Sequence, residues 1–280
     1  MKTSKIDLPS GVMAYLESSG KPNATTVIAL HGWLDNAASF VPLQKELPEY
    51  HWIMPDLPGH GDSDHRNAAG HYHFIDWVED IVDFIDALNL SEPPILLGHS
   101  LGGMLTTVIA GLFPEKIEKL VLIDAAGLVT QKVDSLVADM REAFDSRRAL
   151  KNKSKRIHKH LESAIKAREA AGNIGYEAAK ILTLRNIRTV EGGFEWKTDI
   201  RLRAGSPLRL SDQAAAQIIS AIKAPTLILL ATDGYQNIKD NYAKFAKNYA
   251  NHTCVEVPGH HHCHMEFPDQ IAEQLRKFLL

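Results

Sequence analysis

The sequence predicts an α/β fold: a mostly parallel sheet flanked by helices. Three observations predict it. Short runs rich in Val, Ile and Leu alternate with longer segments of helical periodicity along both ends of the 280-residue chain. The runs are continuously apolar, as strands buried on both faces are. Several of them end abruptly on turn residues, at His31-Gly32, Pro55-Asp56 and Gly98-His99-Ser100.

Taken in order, Val12–Leu16 reads as a short strand, Thr25–Leu30 as a β-branched one, and Tyr50–Met54 as a third. Residues 74–88 follow a helical period, with Phe74, Trp77, Val78, Ile81, Ile85 and Leu88 on one face. Their acids, Asp76, Glu79, Asp80, Asp83 and Asp86, are expected on the solvated face. Pro94–Leu97 is a strand that runs through a glycine-rich turn into a helix, and Lys119–Ile123 is the next strand. The pattern returns at Pro225–Leu230 and Thr253–Val257 and closes with an amphipathic helix over Asp269–Leu280. Between them, residues 127–213 show no convincing strand run and are rich in Ala, Arg, Lys, Glu and Leu. The chain is therefore expected to divide into a discontinuous core, 1–126 and 214–280, and a mainly helical insertion, 127–213, capping the carboxyl ends of the strands.

Composition excludes several classes. Hydrophobic residues at 45% and charged residues at 23% rule out wholesale disorder. A net charge of −3 gives no bulk attraction to nucleic acid. That average conceals a contrast. Residues 127–213 hold 18 Lys and Arg against 11 Asp and Glu, while the rest of the chain holds 13 against 23. Opposed charges are expected to help seat the insertion on the core. The two cysteines, Cys254 and Cys263, cannot form a disulfide framework, which fits a reducing compartment. The first twenty residues lack the apolar stretch of a signal peptide, so a cytoplasmic location is expected. Residues 93–113 approach membrane-span length, but Pro, Gly, His and Ser interrupt them, and no membrane span is expected.

The chemistry centres on Gly98-His99-Ser100-Leu101-Gly102, a G-x-S-x-G sequence between a buried strand and a helix. A serine on so sharp a turn stands exposed above the sheet. The free N–H groups of the helix start then favour a developing oxyanion. A serine hydroxyl needs a base to attack at neutral pH. Histidines beyond the final strand, in Val257-Pro258-Gly259-His260-His261-His262-Cys263-His264-Met265-Glu266, are the candidates. Consecutive histidines cannot all turn toward one ion, so no metal is expected there. Neither a GxGxxG dinucleotide motif nor a Walker A sequence is suitably placed, so no cofactor is expected.

The stretches HGWLDNAASF (31–40), PDLPGHGDSDH (55–65), GHSLGG (98–103), LVLID (120–124), TLILLATDGY (226–235) and VEVPGHHHCHMEFP (255–268) together resemble an α/β-hydrolase. The closer likeness is to the serine hydrolase-like proteins, which are similar to bacterial carboxylesterases. The resemblance implies an α/β-hydrolase fold and hydrolysis of a small-molecule carboxylic ester. Alternatives are a ligand-binding relative with negligible turnover, or thioester or carbon–carbon bond hydrolysis on the same residues. The family pattern G-x-H-x-x-H-M puts the base on His261, whereas a simple G-H pattern picks His260. The triad acid is open between Asp124, at the end of one strand, and Asp233, in the turn after the next. Aligned on Pro225, the usual acid position in that turn holds Gly234. The HG-x sequence implies an oxyanion hole built from the amides of Trp33 and Leu101, with the Trp33 indole packed, His31 structural, and Asp35-Asn36 and the Asp56–Gly61 turn buttressing nearby loops. Neither substrate preference nor oligomeric state is legible.

Overall fold

The structure is a computed structural model that describes residues 1–151 and 153–280. In chain order the elements are β1 (Lys2–Leu8), β2 (Gly11–Ser18), β3 (Thr26–Leu30), α1 (Val41–Glu46), β4 (His51–Pro55), α2 (Phe74–Ala87), β5 (Ile95–His99), α3 (Leu101–Leu112) and β6 (Leu120–Ile123). Then come α4 (Leu136–Leu150), β7 (Ile157–His158), α5 (Leu161–Gly172), α6 (Tyr176–Asn186), β8 (Ile187–Val190) and β9 (Gly193–Trp196). The chain closes with α7 (Asp212–Ser220), β10 (Thr226–Ala231), α8 (Gln236–Phe245), β11 (His252–Val257), α9 (Cys263–Glu266) and α10 (Pro268–Leu279).

Eight strands form one sheet in the order β1-β2-β4-β3-β5-β6-β10-β11. Pairing is parallel from β4 to β11, and antiparallel where β2 joins β1 and β4. This is the α/β-hydrolase fold. Strand β1 escapes a sequence reading because it is an edge strand with only Ile6 and Leu8 as apolar marks.

Alternation along the strands divides the core in two. Ile28, Leu30, Leu96, Leu120, Leu122, Ile228 and Leu230 pack on one side, with α2 and α3. Val27, Ala29, Leu97, Val121, Ile123, Leu227 and Leu229 pack on the other, with residues of α1 and α10. Each fully buried aliphatic side chain contributes about 1.5–3 kcal/mol relative to exposure.

The parallel register aligns the strand ends. Leu30 pairs Gly98, His99 pairs Ile123, Ile123 pairs Leu229, and Ala231 pairs Val257. The residues just past these ends therefore emerge along one edge of the sheet. They are His31-Gly32-Trp33, Ser100, Asp124, Thr232-Asp233-Gly234 and Gly259-His260-His261.

Residues 127–213 depart from the expectation in three ways. They contain a small three-stranded antiparallel sheet, β7-β9-β8, of strands too short and too polar to announce themselves. Their helices α4, α5 and α6 do not run on continuously, because β7 lies between the first two. Helix α7 runs across residue 213 and packs Ala215 and Ile219 into the main core. In α2, Asp80 lies on the buried side rather than the solvated one, 2.5 Å from Arg66. No described helix is long and apolar enough to cross a membrane.

Candidate active site

Ser100 sits between the last residue of β5 and the first of α3, with φ 51° and ψ −116°. That left-handed backbone is costly for a residue carrying a Cβ, and it persists only because strand and helix fix both sides of it. The glycines of G-x-S-x-G have a visible cause. A Cβ on Gly98 would lie 2.5 Å from the Gly102 carbonyl carbon, and one on Gly102 would collide with the Leu30 carbonyl. The first helical bond of α3 runs from Met104 N–H to the Ser100 carbonyl at 3.1 Å. The N–H of Leu101 therefore has no partner within the helix.

His261 lies beyond β11, after Gly259 turns the chain at φ 107°. Its Nδ1–H donates to Asp124 Oδ2 at 2.6 Å, which leaves Nε2 as the ring nitrogen free to take a proton. Asp124 sits just past β6, is fully buried, and has φ 39°. Its other oxygen accepts from the Ala231 N–H at 3.1 Å. The alternative residues point elsewhere. Asp233 is exposed and accepts from the Thr232 hydroxyl at 3.1 Å. The His260 imidazole is turned to Glu266, with Nδ1 3.4 Å from Oε2 and a side chain 54% exposed. Gly234 explains the choice of partner: a Cβ there would stand 2.7 Å from Asp124 Oδ1. A glycine at the usual acid position makes room for a carboxylate arriving from the neighbouring strand. The Tyr235 ring lies over His261, centroids 4.3 Å apart.

The His31–Asn36 loop packs directly on the serine turn. A Cβ on Gly32 would lie 2.9 Å from His99 Nδ1. His31 is buried and fully engaged: Nδ1–H donates to the Gly32 carbonyl at 2.8 Å, and Nε2 accepts from Leu57 N–H at 3.0 Å. Burial lowers its pKa to about 4. His60 is held alike. Its Nε2 accepts from Leu34 N–H at 3.2 Å, and burial, with His31 nearby, lowers its pKa to about 3. These rings are neutral hydrogen-bonding spacers rather than bases. The Trp33 indole is not packed away: it is half exposed and donates through Nε1 to the Leu202 carbonyl at 3.0 Å.

Behind the site lies a buried polar network built on Asp35 and Asp56, whose arginine and histidine partners the sequence did not announce. Asp35 accepts from His262 Nε2–H at 3.0 Å through Oδ2 and from Arg168 of α5 through Oδ1. Burial works against its charge, but His262 and Arg168 outweigh it and hold the carboxyl well below the usual carboxylate range. Asp56 receives a fork of hydrogen bonds from Arg185 of α6, at 2.7–3.1 Å, and the backbone N–H groups of Ala37 and Asp62. His99 donates Nε2–H to the His261 carbonyl at 2.8 Å, and His264 Nε2 meets Ser39 Oγ at 2.6 Å. Among the described residues, Asp35, His99 and His262 alone have donor atoms spaced as a metal site would need. The Asp35 carboxylate is already engaged by two donors, and the guanidinium beside it opposes a cation. The set fits a hydrogen-bonded support better than a metal centre.

Comparison with known proteins agrees with the fold. The family described as alpha/beta hydrolase fold matches residues 25–268. A serine hydrolase-like protein of Danio rerio is 30% identical over 273 residues, covering 94% of this chain and 82% of its own. Serine hydrolase-like protein 2 of Homo sapiens is 29% identical, covering 98% and 93%. The crystal structure of a hypothetical protein from Pseudomonas aeruginosa PAO1 superposes with a TM-score of 0.90 at 33% identity, covering 100% of this chain and 98% of that one.

Proposed function

The chain belongs to the alpha/beta hydrolase fold family and to its serine hydrolase-like members, and from that premise we propose that it cleaves carboxylic esters through an acyl-enzyme on Ser100. The observation that carries the reading is the 2.6 Å bond from His261 Nδ1 to the buried Asp124, on the strand edge that also presents Ser100 in a strained turn.

In this reading His261 Nε2 takes the hydroxyl proton as Ser100 Oγ attacks the ester carbonyl. Asp124 fixes the tautomer and stabilises the imidazolium without itself taking the proton. The tetrahedral oxyanion is held by the N–H groups of Trp33 and Leu101, donors already in place as the charge develops. The leaving alcohol takes the proton from His261. Water then repeats the cycle on the acyl-enzyme and releases the acid. Residues 127–213 act as the cap that shapes the pocket above this edge.

A fluorophosphonate probe should label Ser100, and Ser100→Ala should lose both the label and p-nitrophenyl acetate hydrolysis, with kcat falling about 10⁶-fold by subtilisin precedent. A wild-type protein left unlabelled, or an alanine variant of undiminished activity, would sink the reading. A chain-length series of p-nitrophenyl esters, with the matching thioesters, would define the acyl group accepted.

A further inference from the structure

We infer that the insertion positions the oxyanion loop, so that Arg168 serves the chemical step for every substrate and not only the choice among substrates. The inference rests on the proposed oxyanion role of Trp33.

Residues 32–35 form a tight turn closed by the Asp35 N–H to the Gly32 carbonyl at 3.1 Å. Trp33 and Leu34 are its central residues, so the Trp33 N–H points away from the turn's own hydrogen bond. Leu34 has φ 62°, a position where such turns normally take glycine or asparagine. A strained turn of this kind holds its shape only if its surroundings impose it. From the core, the Leu34 N–H is held by His60. Three further side-chain anchors come from three separate stretches of the insertion. The Trp33 indole donates to the Leu202 carbonyl, Asp35 receives Arg168, and Asn36 Nδ2 donates to the Leu182 carbonyl at 2.9 Å. The Asp35 carboxylate also holds His262, the residue after His261. One buried group thus joins the insertion, the oxyanion turn and the base-bearing loop. Arg168 is a positioning residue, acting through Asp35.

The test compares Arg168→Gln with wild type on p-nitrophenyl acetate and on its thionoester. Sulfur is larger and a weaker hydrogen-bond acceptor than oxygen, so the thionoester draws little from an oxyanion hole. A loop displaced by even an ångström should lower kcat for the oxygen ester about 10- to 100-fold. KM should stay within about twofold, and the thionoester should lose less than about threefold, by the same argument. Arg168→Lys should recover part of the loss. Arg148→Gln, on the exposed face of α4, should behave as wild type. Trp33→Phe keeps the amide and every charge while deleting the anchor to Leu202, and it should repeat the oxygen-selective loss if Arg168→Gln fails to fold. Parallel losses on both esters, or a rise in KM with kcat intact, would overturn the inference. A wild type that hydrolyses neither ester would refute the esterase reading instead. Hydrogen exchange over residues 31–40 then decides the coupling without turnover: faster exchange in Arg168→Gln supports it, and equal exchange ends it.

Discussion

The core and the insertion treat charge in opposite ways. The core buries histidines. His31, His60, His99 and His264 are all fully inaccessible, and burial lowers the pKa of each. They serve as neutral hydrogen-bonding rings between strand ends. The insertion exposes most of its charges and even apolar side chains, with Val133 and Val137 each 80% exposed, yet sends Arg168 and Arg185 onto buried aspartates of the core. Its own small apolar cluster, Ile165, Ile174, Ala178, Ala179 and Leu182, is completed by Met265 from beyond β11. A segment that borrows part of its core from the body beneath it depends on that body. In the proposed reaction the core supplies the reacting groups, at the ends of its strands. The insertion supplies a polar clamp and whatever else lies over them.

The largest effect should come from the core. Asp124→Asn should leave the fold intact and lower kcat about 10⁴-fold, as loss of the corresponding acid does in serine proteases. Asp233→Asn should stay within about twofold of wild type, since its carboxylate meets only Thr232. Equal losses in the two variants would break the geometric distinction between these acids. Steady-state kinetics on one p-nitrophenyl ester decides it.

Arg185→Ala measures the clamp. Removing one partner of a buried pair strands the other charge and typically costs about 3–5 kcal/mol. Urea unfolding should show that loss, because Asp56 keeps its burial but loses its guanidinium. A loss of less than about 1 kcal/mol would place this pair with ordinary surface bridges.

Acid should distinguish the two regions. In the folded state His31 and His60 titrate at about 4 and about 3, against about 6.5 when the chain is unfolded. Between those values the unfolded state binds more protons, so stability rises with pH and is lost as pH falls below about 6.5. Together the two rings should cost about 3–4 kcal/mol between pH 7 and pH 5. Asp35 acts lower down. Its depressed pKa contributes stability above about pH 4, and this is lost as pH falls through the folded value. Thermal melting from pH 8 to pH 4 should therefore show a decline beginning near 6.5; a flat profile down to pH 5 would contradict the neutral burial of these rings.

The smallest effect should be at the surface. Lys244 and Asp212 pair at 3.0 Å with both side chains substantially exposed. Their removal should change stability by about 0–1 kcal/mol and vanish in high salt. A larger, salt-resistant effect would set this pair with the buried bridges instead. As it stands, the attraction between a basic insertion and an acidic core is carried by three of the 18 basic residues of 127–213, Arg168, Arg185 and Lys197, which meet Asp35, Asp56 and Asp62 of the core.

Much of this was legible because local chemistry forced it. The glycines at 98 and 102 announce a turn in which no side chain fits, and the aliphatic runs announce strands covered on both faces. Sequence order alone then puts a serine at one strand end and histidines after the last strand. Legibility failed where a residue's meaning lies in its partner. Asp80 shares a helix with four other acids, and only the approach of Arg66 shows why it faces inward. Arg168 looks like any other basic residue of a helical segment. Strands β7, β8 and β9 carry too few apolar residues for a pattern to emerge.

The sequence by itself determined the parallel strands of the main sheet, the serine turn and the set of histidines and acids from which a site is assembled, because periodicity and steric exclusion act over a few neighbouring residues. The tertiary structure decided which acid meets His261, and which arginines reach the core. Those depend on the space left by Gly234 and on distances across 133 residues of chain, between Asp35 and Arg168, that no local rule controls.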